Sequence, residues 1–170
     1  MGYAKGTDVA PEKSRAEIEK LLTKQKVSQV GVNMDLANGR AIVLFTMPGV
    51  VITPAQVWPK VDEVRGPPRV VSFAVKMPKR EDFNKSRHGY LPTADKVDAL
   101  WQQAIRERWR NLLMVLKGKF VAIESGVETF EEAFLCHLQV PSGGTVGEHV
   151  MPRYQQAIAN PGSPLLGSGR

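Results

Sequence analysis

The stretch from Thr93 to about Ser125 constrains this chain more than any other, because apolar residues recur through it at helical spacing for roughly nine turns. At about 100° per residue, Trp101, Ile105, Trp109, Leu112, Leu116, Phe120 and Ile123 share one side. Arg106, Arg110 and Lys117 fall in a narrow strip on another. Thr93 stands where an N-cap belongs, and Gly126 follows Ser125 as a C′ stop. A helix this long and this apolar along one side needs a broad surface to cover, so the rest of the chain has to supply one.

Upstream, Ser14-Arg15-Ala16-Glu17 reads as a capping box opening a short helix with Ile18, Leu21 and Leu22 on its apolar face, after a loose arm over residues 1–13. Val30, Val32, Met34 and Leu36 alternate with smaller or polar residues, Asn38-Gly39 follows, and Ala41 to Met47 is apolar and β-branched. That pattern predicts a hairpin closed by a two-residue type I′ turn. Pro54, Pro59, Pro67 and Pro68 make residues 48–68 an excursion with room for a short edge strand near Val50-Val51-Ile52. Arg69 to Met77 resumes as a strand, with Val71, Phe73 and Val75 on one face and Val70, Ser72, Ala74 and Lys76 on the other.

Beyond the long helix, Thr129-Phe130-Glu131-Glu132 is a second capping box, opening a helix to about His137 or Leu138. Val140 to Gly144 is a turn. Thr145-Val146-Gly147-Glu148 is a third box, leading a helix toward Ala159, and residues 160–170 form an irregular tail. The sum is an α+β fold: an N-terminal helix, a three- or four-stranded antiparallel sheet, the long amphipathic helix packed on that sheet, and two short C-terminal helices, forming a single domain over 14–159.

The length of 170 residues suits one domain that folds without staples. One cysteine, Cys136, excludes an intramolecular disulfide framework and points to the reducing cytoplasm. The first twenty residues lack the apolar centre of a signal peptide, and no apolar run approaches the roughly 18 residues of a membrane span. The net charge of +6 and pI near 9.6 favour an acidic partner.

Candidate reaction chemistry is thin. Cys136 and His137 are neighbours on a helix, so their side chains diverge and cannot form a nucleophile-base dyad, and Cys136 reads as a buried small apolar residue. Glu132, Cys136 and His149 match no zinc spacing. Glu124, Glu128, Glu131 and Glu132 cluster at a helix break, where Glu131 and Glu132 suit a first turn facing the helix dipole. Ser142-Gly143-Gly144-Thr145 lacks a Walker lysine and reads as a turn with an N-cap. The expectation is therefore no enzyme, no metal and no cofactor.

Cations interleaved with aromatics carry more. Lys76, Lys79, Arg80, Lys85 and Arg87 surround Phe83 and Tyr90, offering charge to phosphates and rings to unpaired bases. Arg106, Arg110 and Lys117 would extend that potential along the long helix. Arg108 and Lys119 project into the apolar sector, where they either snorkel at the core rim or meet another subunit of a homo-oligomer.

Several segments resemble a family of small phage- and prophage-encoded proteins of uncharacterised function. They are Val9 to Glu19, Arg108-Trp109-Arg110-Asn111-Leu112-Leu113 running into Lys117-Gly118-Lys119-Phe120, Glu124 to Val127, Thr129 to Leu135, Gly144 to Glu148, and Pro164-Leu165-Leu166. The likeness spans most of the chain outside residues 50–65 and implies no particular activity. The order hairpin, strand, helix is similar at fold level to Rad52-type single-strand annealing proteins. Gly66-Pro67-Pro68-Arg69 with Phe73-Ala74-Val75 resembles a strand motif of double-stranded RNA-binding domains, without the lysine cluster those domains carry at their final helix.

Together these readings lead to an expected function. It is a cytoplasmic, nucleic-acid-binding phage protein acting on single-stranded DNA in recombination or replication. The alternative is a non-catalytic interaction protein, a host-factor inhibitor or assembly factor with a host protein as partner. Neither reading involves a membrane.

Overall fold

The computed structural model describes residues 4–35, 38–49, 51–52, 64–65, 67–84 and 91–160. The first helix, α1, runs Pro11–Lys24, with Ala10 as N-cap and Pro11 at its first position, where a fixed φ and a missing N–H cost nothing. The capping box expected at Ser14 therefore does not form. Ser14 lies inside the helix and is fully buried, its N–H donating to Ala10 C=O at 3.2 Å. The arm is correspondingly shorter than expected, and part of it is held on the domain: Gly6 N–H donates to Glu107 Oε1 at 2.7 Å, and Gln103 Nε2 donates to Thr7 C=O at 3.1 Å.

Strand β1 (Gln29–Asp35) pairs antiparallel with β2 (Arg40–Met47), Asp35 facing Arg40. The connection is thus residues 36–39, four rather than two. The Asp35 carboxylate explains the longer loop, because it accepts the Asn38 N–H at 3.1 Å, the Asn38 side-chain amide at 2.8 Å and Arg40 Nε at 2.8 Å. Only Gly39 of the Asn-Gly pair takes a positive φ, +57°, whereas a type I′ turn needs two.

The excursion contains two short strands, β3 (Val51–Ile52) and β4 (Val64–Arg65), paired with each other rather than with the main sheet. Strand β5 (Arg69–Lys76) then returns beside β2, giving an antiparallel sheet of order β1-β2-β5.

One face of that sheet presents Ala41, Val43, Phe45, Val71 and Phe73. Helix α2 (Ala94–Glu124) covers it with Trp109, Leu112, Leu113, Leu116 and Phe120, and α1 adds Ile18 and Leu22. Each large side chain buried here is worth on the order of 2–3 kcal/mol. Trp101 sits at the rim, half-buried, where its Nε1–H donates to Pro78 C=O at 2.9 Å.

Helix α3 (Phe130–Phe134) opens at the Thr129 box and tightens into a 3-10 turn over Leu135–His137. It drives Phe134 into the core, edge-on to Phe45 at 5.6 Å and to Phe73 at 6.0 Å. Glu131 of this helix pairs with Arg69, and Glu132 accepts the Thr129 N–H at 2.8 Å, so both carboxylates serve the helix start and its packing.

The chain next runs along the far edge of β5. Leu138 bridges Val71, and Gln139 N–H donates to Val70 C=O at 2.8 Å. The Gly143-Gly144 turn, with φ of +93° and +74°, leads to Thr145, whose hydroxyl caps α4 (Val146–Ala159) by accepting the Glu148 N–H. Cys136, expected in the core, is exposed. It lies outside the aromatic cluster because the 3-10 turn directs Phe134 inward and leaves Cys136 beside the backbone of Gly147. No helix among the described residues is long and apolar enough to cross a membrane.

Candidate nucleic-acid interface

Antiparallel register decides which cations meet. Lys76 ends β5 directly opposite Arg40 at the start of β2, and both side chains are exposed. The ladder continues one pair further, with Met77 N–H donating to Gly39 C=O at 2.9 Å. Lys79 follows on the same end of the sheet, its Cε near the position a side chain on Gly39 would take. Arg40 shares the Asp35 carboxylate, while Lys76 and Lys79 have no ion pair among the described residues. Arg40 is a member of this cluster that residue-by-residue reading passed over. The register that sets it opposite Lys76 joins β2 to β5 across the excursion of residues 48–68, beyond any local window.

A 3-10 turn over Arg80–Phe83 fixes the segment that follows. Lys79 N–H donates to the Asp82 carboxylate at 3.2 Å, and Arg80 Nε donates to Asp98 on α2 at 2.5 Å. That contact holds the Asp98 carboxyl below the usual carboxylate range and raises the Arg80 guanidinium. Phe83 is half-buried. Lys85, Arg87 and Tyr90 lie outside the described residues.

Arg106, Arg110 and Lys117 of α2 are otherwise engaged. Arg106 donates from Nε to Gln103 Oε1 at 3.1 Å, within the network that binds residues 6 and 7. Glu107 in that network is held below its ordinary value chiefly by the Gly6 N–H. Arg110 reaches Glu17 of α1 at 2.9 Å, and Lys117 reaches the same carboxylate oxygen at 3.6 Å. Asp98, which anchors Arg80, and Arg110 project from α2 about 120° apart. The structure therefore groups Lys76, Lys79 and Arg80 at the end of the sheet and turns Arg110 and Lys117 toward α1. Lys119, for its part, donates to Ala133 C=O and lies 5.5 Å from the Phe134 ring, whereas Arg108 is exposed.

A groove of about 470 Å³ adjoins the cationic end. Arg40, Ile42, Ser72 and Ala74 form its floor on the outer face of the sheet, and Cys136 and Met151 stand on the opposite side. His137 also lines it, stacked on Phe73 with ring centres 3.8 Å apart, and burial pushes its imidazole below its usual value, helped by Lys119 and opposed by a hydrogen bond with the Ser72 backbone. The His149 ring is hydrogen-bonded with Gly143 C=O at 2.7 Å, and no three His, Cys, Asp or Glu among the described residues converge as a metal site.

No protein-family model, no characterised protein and no solved structure matches this chain.

Proposed function

We propose that this protein binds nucleic acid, with single strands preferred, through the end of the sheet where Arg40, Lys76 and Lys79 gather. The observation that carries this reading is the direct opposition of Arg40 and Lys76 across β2 and β5. Asp35 offsets Arg40, but Lys76 opposite it and Lys79 beyond have no ion pair among the described residues, so this end of the sheet keeps net positive charge for a polyanion. Arg80 continues the cluster and Phe83 adds a ring beside it for stacking. The adjoining groove, floored by Ile42 and Ala74, offers an apolar surface for a base face. In this reading the protein is phage-encoded, acts in the cytoplasm of the host during DNA recombination or replication, and needs neither catalysis nor a cofactor.

The test is anisotropy of a labelled oligonucleotide across a salt series. Binding at about 50 mM salt that weakens steeply as salt rises is expected. Lys76→Glu with Lys79→Glu should abolish it, and Arg110→Ala with Lys117→Ala should leave it nearly unchanged. Absence of binding at about 50 mM salt, or binding indifferent to Lys76 and Lys79, overturns the reading.

A second reading, a non-catalytic interaction protein, is favoured by α4. Met151, Tyr154 and Ile158 recur along one side of that helix and are 46%, 47% and 62% exposed. A nuclease-resistant complex recovered by size exclusion from host lysate, and lost on Tyr154→Glu, would replace the first reading with this one.

A further inference from the structure

The bonding alternation of the sheet shows which backbone groups of β1 have no partner strand. Gly39 and Met77 exchange a bond just beyond the Arg40–Lys76 pair. Alternate residues of β2, namely Ala41, Val43 and Phe45, therefore direct their N–H and C=O groups to β5. The residues between them, Ile42, Leu44 and Thr46, turn to β1, where they meet Asn33, Gly31 and Gln29. On β1 it is then Val30, Val32 and Met34 whose backbone groups point away from the sheet. Among the described residues no strand lies on that edge.

We propose that this edge pairs with the same edge of a second copy, making one continuous antiparallel sheet across a two-fold axis at Val32. That axis sets Val32 opposite Val32, and Val30 opposite Met34 of the second copy. These are the residues with outward N–H and C=O groups, so each of these pairs closes a reciprocal pair of hydrogen bonds. A register centred on Gly31 or on Asn33 would match only two of these residues with each other, Val30 with Val32 or Val32 with Met34, so the axis at Val32 closes the most hydrogen bonds.

Side chains support the same register. Val30 and Met34 lie on the core face of the sheet yet are 37% and 42% exposed, because α1 and α2 leave the margin of β1 uncovered. Across the axis each packs on the other. At the ends Gln29 faces Asp35, an amide donor against a carboxylate already held by Arg40, so no like charges meet despite the net charge of +6. The strand also lacks the usual guards of a free edge, since Gln29 to Asp35 contains neither lysine nor proline.

Sedimentation velocity of the full chain, treated with nuclease, should show a monomer passing to a dimer as concentration rises. Val32→Pro removes an outward N–H and spares the β1–β2 bonds, and Val30→Lys places a charge at the margin. Each should weaken the dimer by about tenfold or more. Should either variant fail to fold, Cys136→Ser with Gly31→Cys and Asn33→Cys, a non-hydrogen-bonded pair across the axis on the outer face, gives an independent readout, a disulfide-linked dimer under mild oxidation. A wild-type chain that stays monomeric at every concentration, a dimer unaffected by both edge variants, or the absence of the Gly31→Cys/Asn33→Cys crosslink overturns the proposal.

Discussion

Glu17 of α1 accepts a hydrogen bond from Arg110 of α2 at 2.9 Å, although 93 positions separate them in the chain. The same carboxylate receives Lys117, so one acidic side chain ties down two cations of the long helix. What reads in sequence as a basic strip is, in the fold, part of the seam between the helices.

Glu17→Gln tests that seam. The pair is partly exposed, with Glu17 30% and Arg110 24% accessible, so solvent screening limits its value to about 0.5–1 kcal/mol. Thermal melting should fall by about 2–4 °C per kcal/mol lost. Oligonucleotide affinity should change little, because the proposed interface lies elsewhere.

Ser14→Ala discriminates between two placements of the α1 start. An N-cap serine loses about 1 kcal/mol on this change. Here Ser14 is fully buried inside the helix, and its hydroxyl has no hydrogen-bond partner among the described residues. Alanine is the better helix former and removes an unpaired polar group, so urea denaturation should show a gain of about 0.5–1 kcal/mol.

Two glycine-to-alanine changes should act in opposite directions. Gly118 lies in α2 with nothing within 4 Å of the position a Cβ would take, so alanine should stabilise by about 0.5–1 kcal/mol. At Gly147 the new Cβ would fall 2.6 Å from Cys136 C=O, a backbone atom that cannot swing aside. That change should cost about 1–3 kcal/mol and hasten proteolysis at the junction of α3 and α4.

His137 gives stability a dependence on pH. Its folded pKa is lowered by burial first and by Lys119 second, against the hydrogen bond with the Ser72 backbone. As pH falls below the unfolded value of about 6.5, the unfolded chain takes up a proton that the folded chain refuses, so stability drops through that window until the folded group also titrates. Urea midpoints measured from neutral pH downward should decline in the wild type. His137→Phe, which keeps a ring against Phe73, should flatten that part of the profile.

Local chemistry was legible in the sequence and long-range chemistry was not. The span of α2, the boxes at Thr129 and Thr145 and the alternation of β5 depend on residues within a few positions of one another. Those elements appear with the expected faces and nearly the expected bounds. The start of α1 was misplaced because Pro11 at a first helical position competes with a Ser-x-x-Glu match, and only the buried environment of Ser14 decides between them. Cys136 was assigned to the core on residue type alone, and its exposure follows from the 3-10 turn after Phe134. For the candidate site, Lys76, Lys79 and Arg80 were found as neighbours in sequence. Arg40 entered through strand register, and the engagement of Arg110 and Lys117 through helix packing, neither of which a local window contains.

The bridge between Val71 and Leu138 has a consequence for truncated forms. That segment covers the far margin of β5 at Val70 and Val71, whereas no strand among the described residues pairs with the outer side of β1. A chain cut before Leu138 would have two bare margins, and molecules with two such margins can add end to end without limit. If β1 pairs with a second copy as proposed, the short stretch after Phe134 is what stops the sheet there, and its loss should turn the dimer into longer ribbons.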